Sequence, residues 1–340
     1  MRGKSKVLKR LNRSLLTLSI IGVAAIVTGF NLSSVYAIST TSDNNVANGF
    51  SISPVETELT IDKGTTQVVQ LSIQNPTKES TVAEAIINDF GASTDESGTP
   101  KLILQGGTLP ANNFKSLVTS IPNLALGPDQ QKTIDVPISV PKDAISGGYY
   151  GAIRFVPTVL GQQSNVGLTA SVGSLFLITV PGNLIEKVNL TQLGVASSSG
   201  DVDSFFTKGP LTVFERLDNV GNIHVAPYGK IELKNTFGHI VYTAEFNGVR
   251  GNILPDSIRR FDNTIPKSVN LLGHYTVVAN LGYNSTSGAL IYGTTGFWVV
   301  PVWLIIVAIL VVILVIAIIY WIFRRITTRS NRQGPRGNRK

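Results

Sequence analysis

Val69-Gln70-Leu71-Ser72-Ile73-Gln74 puts an apolar side chain at every second position, and Asn75-Pro76 closes the run. Period two is the mark of a strand with one face in a core and one in water, and Asn-Pro is turn chemistry. Ile134-Asp135-Val136-Pro137-Ile138-Ser139-Val140 repeats the pattern, and Pro137, which has no N–H for a ladder, predicts an edge strand. Gly148 to Val156 and Leu168 to Val180 extend the set. Asp62-Lys63-Gly64, Glu96-Ser97-Gly98 and Gly127-Pro128-Asp129 supply turns between the runs. No helical period of useful length precedes residue 299.

A boundary falls near Pro181-Gly182-Asn183, after which the alternation restarts. Leu184 to Leu193, Leu211 to Asn219, Ile231 to Lys234, Tyr242 to Phe246, Tyr275 to Leu281 and Leu290 to Trp298 read as strands. About seven short strands spaced by turn signals meet the requirement of an immunoglobulin-like sandwich. The expected fold is therefore all-β, two immunoglobulin-like β-sandwiches in tandem at residues 50–182 and 183–298. A single large β-barrel is the other architecture compatible with this pattern.

The ends read as membrane topology. Six basic residues in positions 1–13 precede the apolar run Leu15 to Phe30 and the small-residue exit Ser33-Ser34-Val35-Tyr36-Ala37. That order predicts a signal peptide over 1–37, cut after Ala37, with 38–49 a flexible mature N-terminus. Val302 to Phe323 carries no charge, and Trp298, Trp303, Tyr320 and Trp321 bracket it as an aromatic belt. The span is placed at 299–323, and the basic tail 324–340 at the cytoplasmic side by the positive-inside rule, which leaves 38–298 outside.

The chain's net charge of +8 divides unevenly along its 340 residues. All 21 Asp and Glu lie between residues 38 and 298 against sixteen Lys and Arg, so that body carries −5. A nucleic-acid partner needs clustered positive charge, and the body offers none. Zero cysteines remove disulfide frameworks, thiolate metal sites and cysteine nucleophiles. The three histidines, His224, His239 and His274, sit beside turn residues, and no metal site or cofactor is expected. There is no Gly-x-Ser-x-Gly elbow, no His-Glu-x-x-His and no phosphate-binding glycine loop, and Glu56 and Glu58 read as solvated acids on one strand face. The expectation is a protein that is not an enzyme.

Ser51-Ile52-Ser53-Pro54, Ile61-Asp62-Lys63-Gly64 and Leu71 to Pro76 resemble the opening of the WxL-interacting protein family. Val140-Pro141-Lys142, Gly147-Gly148-Tyr149-Tyr150-Gly151, Leu254-Pro255-Asp256-Ser257-Ile258-Arg259-Arg260-Phe261 and Gly273-His274-Tyr275-Thr276 add to the likeness. The resemblance implies a Gram-positive surface protein whose first domain binds peptidoglycan and whose second binds host or partner proteins, among them a WxL-type protein.

Four residues stand out as candidate ligand contacts. Tyr149 and Tyr150 offer flat rings for a sugar, and the alternation also allows one in the core and one outside. Arg259 and Arg260 make either a binding loop or a charged strand entry. Two functions fit: a single-pass membrane tether for peptidoglycan or a secreted surface protein, or a membrane-held assembly chaperone that takes β-rich secreted clients by strand addition.

Overall fold

The computed structural model describes residues 49–104, 106–158, 171–283 and 289–330. The signal segment with its cut after Ala37, most of the mature N-terminus and residues 331–340 of the tail lie outside them. The chain forms two β-sandwiches followed by one helix.

The first sandwich is built from β1 (Ser51–Ser53), β2 (Glu56–Thr60), β3 (Thr66–Gln74), β4 (Thr81–Ala92), β5 (Pro100–Leu102), β6 (Leu124–Leu126), β7 (Gln131–Ser139), β8 (Gly147–Thr158) and β9 (Val172–Val180). One sheet runs β1-β3-β7; the other runs β2-β9-β8-β4-β5, with β6 also paired to β4. The alternation in β3 and β7 delivers Leu71, Ile73, Val136 and Ile138 to the core, where they meet Ile153, Phe155, Phe176 and Ile178 of the facing sheet. Pro137 lies on an edge strand, opposite Val68. A 3-10 turn, Phe114–Leu117, plugs one side; Asp89 accepts from its Phe114 N–H at 2.5 Å, and Phe114 stacks on Phe176 at 5.2 Å. Gly151 has no alternative here, because a Cβ would sit 2.0 Å from the Phe114 ring.

The second sandwich contains β10 (Val188–Ser197), β11 (Phe205–Phe206), β12 (Leu211–Asn219), β13 (Tyr228–Asn235), β14 (Ile240–Phe246), β15 (Ser257–Thr264), β16 (Gly273–Gly282) and β17 (Leu290–Val299). Its sheets run β10-β12-β15 and β11-β17-β16-β13-β14. Leu211, Val213, Leu217, Ile231, Leu233, Val277 and Phe297 lie in its core. Glu215 occupies a core-facing position in β12, between Val213 and Leu217, and is fully buried. Its Oε2 accepts from Asn263 Nδ2 at 3.0 Å, whereas Oε1 has no partner. Desolvation pushes the carboxyl up to about 8, opposed by the Asn263 bond and assisted by the charge of Asp262.

Helix α1 (Val302–Ser330) is separated from the end of β17 by Val300 and Pro301. The chain turns into it through Pro301, whose carbonyl accepts from Leu304 N at 2.9 Å. Over Val302–Arg324 the helix is long and apolar enough to cross a bilayer, and none of it is buried against the sandwiches. Val299 is the last residue of β17, and the helix runs on beyond the apolar span to Ser330.

Candidate functional site

Strand β8 separates the two tyrosines as alternation requires. Tyr149 points into the first core, 4% exposed, and its hydroxyl donates to Ile145 O at 2.9 Å. That leaves no face for a sugar ring. Tyr150 lies on the outer face of the sheet, with its ring folded back over Gly148; a Cβ there would sit 1.9 Å from the Tyr150 oxygen. This outer face is apolar, not wet. Phe90, Ala152 and Leu177 form a third cluster that Leu254, from the second sandwich, covers.

A polar latch borders that cluster. Buried Asn219, at the end of β12, donates to Ile223 O and Ile253 O, both at 2.8 Å, and accepts from Gly221 N, which shapes the loop that presents His224. The backbone N–H of His224 donates to the Tyr150 hydroxyl at 2.7 Å, and Gly148 N donates to Asn222 O at 2.9 Å. The Tyr150 oxygen also stands 3.3 Å from His224 Nδ1. On the far side of the ring, His224 Nε2 faces Glu58 Oε1 at 3.9 Å. Asn252 Nδ2 donates to the same Glu58 oxygen at 2.6 Å, so Glu58 joins the two sandwiches and is not merely solvated. The His224 side chain is 13% exposed. Burial holds its basicity below the usual imidazole range, with Glu58 pulling the other way, and burial raises the Tyr150 phenol.

The β4–β5 hairpin makes a second bond to β12 and β15. Its tip residue Glu96 has φ 61° and accepts both an Nε donor at 2.7 Å and an Nη2 donor from Arg216. Arg216 accordingly holds the Glu96 carboxyl below the usual carboxylate range. Arg260 N donates to Glu96 O at 2.9 Å, which caps the outer edge of β15. The Arg260 guanidinium lies over Phe214 and donates to Asp262 Oδ1 at 2.9 Å. Arg259 Nη1 donates to Asn252 O at 2.7 Å, and its guanidinium lies over Phe261. Both arginines are thus committed within the molecule. Tyr150 belongs to the latch with His224, and Arg259 and Arg260 to the bonds around Asn252, Glu96 and Asp262, whereas Tyr149 lies in the first core. Beside the latch lies a cleft of about 380 Å³ lined by Phe90, Tyr150, Leu254, Asn112, Asn222 and Asp256.

Arg216 and Asn252 carry no signal in the sequence, and Glu58, Glu96 and His224 read there only as a solvated acid and turn residues. Their partners lie as much as 194 residues away, as for Asn252 and Glu58, and no local spacing reports that. Among the described residues no group of three His, Asp or Glu stands where a metal ion would be held.

The sheet edges differ in what closes them. Edge β7 carries Pro137 and is bridged by Val118, β15 is capped by Glu96, and β1, β5 and β11 span two or three residues. Strand β10 is a ten-residue edge that also lacks Pro and Lys, and strand β14 pairs with β13 on one side and, among the described residues, with nothing on the other. Strand β14 contains neither Pro nor Lys, and of the devices that blunt an edge it has Glu245 and a bulge. Val241 is the extra residue at a register shift in the pairing with β13. Ile240 and Val241 are exposed, and Phe237 (84%) and Val249 (91%) flank the strand.

No family model and no curated protein sequence matches the chain. Solved structures similar to it include the class 5 fimbriae chaperone CfaA, at 12% identity and TM-score 0.36, covering 72% of this chain and 98% of that one. The E. coli chaperone DraB aligns at 12% identity and TM-score 0.32, covering 73% and 96%. The Salmonella enterica SafA pilin–SafB chaperone complex gives 10%, 0.31, 72% and 96%. At these values the likeness says nothing about what this chain binds.

Proposed function

We infer that the chain is a non-enzymatic, membrane-anchored binding protein that holds a secreted polypeptide at the cell surface by pairing one of its extended segments with β14. The observation that carries this reading is the open edge of β14, free of Pro and Lys and bordered by exposed Phe237, Ile240, Val241 and Val249. Main-chain hydrogen bonds to an added strand supply affinity, and the apolar side chains along the edge supply selectivity. Helix α1 is the anchor, with the sandwiches outside and Arg324 and the residues beyond it at the cytoplasmic face. A WxL-type surface protein is the client that the family resemblance suggests. A peptidoglycan tether is the weaker reading, because Tyr149 is buried and Tyr150 is spent on the latch.

The test uses the full chain in lipid nanodiscs, exposed in parallel to the secreted proteins of the source cells and to purified sacculi. A polypeptide retained by the wild type and lost at least tenfold by I240D/V241D, with unchanged thermal unfolding, supports strand addition. Undiminished capture by that variant removes β14 from the reading. Retention of sacculi without any polypeptide replaces the reading with a wall tether.

A further inference from the structure

The end of the second sandwich nearest α1 carries a hollow of about 230 Å³. Its walls come from the loop before β12, the loop between β15 and β16, and the β17–α1 connection; Thr207, Lys208, Lys267, Asn270, Val299 and Pro301 are among them. Backbone bonds join these pieces: Ile265 N to Leu211 O at 2.8 Å, and Val300 N to Phe206 O at 2.8 Å. Lys208 and Lys267 are exposed, and neither belongs to an ion pair among the described residues. Leu272 and Trp298, both exposed, lie at the same end, since Gly273 pairs with Val299 and His274 with Trp298. Only Val300 and Pro301 separate β17 from a helix fit to span a bilayer. A helix seated in hydrocarbon leaves this end nowhere to go but the headgroup layer.

We propose that the hollow between Lys208 and Lys267 receives the phosphate of an anionic phospholipid headgroup, with Leu272 and Trp298 set against the adjacent interface. The two ammonium groups supply positive charge on both sides of a singly charged phosphodiester, and an indole at headgroup depth has both an apolar body and an N–H to satisfy. The proposal rests on the reading that α1 crosses the membrane. Docking of this end fixes the sandwich against the lipid surface, beyond what a lone helix does.

The absence of cysteine from the chain makes a unique probe simple. A fluorophore on the S268C variant of the full chain, in nanodiscs, reports contact with headgroup-labelled quencher lipid. In bilayers with about a third phosphatidylglycerol the label is quenched more strongly than in pure phosphatidylcholine. The ratio of docked to free loop falls about fivefold for K208Q or K267Q and about twenty-five-fold for both together. Equal quenching in the two bilayers, unmoved by the double variant, overturns the proposal. A change of label fluorescence with inorganic phosphate in lipid-free micelles, as large as that with anionic lipid, makes the hollow a free-anion site and overturns the lipid assignment. Extraction of the chain from membranes by alkaline carbonate is a separate result, and it removes the anchoring itself.

Discussion

Glu215 offers a charge test inside a core. The side chain is fully buried in β12, one carboxylate oxygen bonded to Asn263 and the other without a partner. Burial raises its pKa from 4.5 to about 8, so between those values the folded chain holds a proton that the unfolded chain releases. A raised folded pKa means that the stability is fully present below pH 4.5 and is lost as pH rises through about 8. At about 1.4 kcal/mol per pKa unit the loss totals about 5 kcal/mol. Glutamine in its place keeps an acceptor for Asn263 and removes the ionisation. E215Q should match the wild type near pH 4.5 and exceed it by about 4 kcal/mol at pH 7.5. Hydrogen exchange of the β12 and β16 amides reports opening of this sandwich alone, and the wild-type minus variant difference cancels every other titrating group. A difference that stays flat from pH 4.5 to 7.5, or a variant weaker at the higher pH, refutes the argument that desolvation dominates at Glu215.

Further expectations concern the junction. Y150F leaves the buried His224 N–H without its acceptor and should cost about 1–3 kcal/mol, read from the exchange rate of that amide. Removing the Arg216–Glu96 pair with E96A should cost about 1 kcal/mol, because both side chains keep partial solvent contact; small-angle scattering should then show a wider spread of inter-sandwich distances. G148A forces the Tyr150 ring off its seat, so amide protection at residues 222–224 should fall while the core around Tyr149 keeps its own. For His224, whose folded pKa is depressed, the stabilising contribution is present above about 6.5 and is lost as pH falls below it. Protection at 222–224 should therefore weaken between pH 7 and 5 in the wild type and not in H224N.

Legibility in the sequence tracked the environment of each strand. Leu211 to Asn219 and Leu290 to Trp298 could be read almost to the residue, because each alternates between a core face and a more open one. Strand β4 went unnoticed: Ile86, Ile87 and Phe90 give it apolar residues on both faces, and its outer face is covered near Phe90 by Leu254. Strand β15 is legible only as a charged strand entry, without its partners. Arg259 and Arg260 resemble solvated residues until Asn252, Glu96 and Phe214 are placed beside them, and only the fold does that. Tyr149 and Tyr150 show how far parity goes. It predicted that one ring would be inside and the other outside, but not that the outer one would meet a second sandwich.

The two-residue passage from β17 into α1 also decides how this molecule bears a pull. With α1 seated in a bilayer, as proposed above, tension on anything held by the sandwiches would enter the second one through β17. Ten residues of β17 are laddered to β16, and β11 grips its last two from the other side. A load along a strand must shear its ladder all at once; a load across it would open the bonds one after another. From β17 the sheet runs through β16 and β13 to β14, so a partner held on β14 would be hung from the membrane by one continuous hydrogen-bonded sheet.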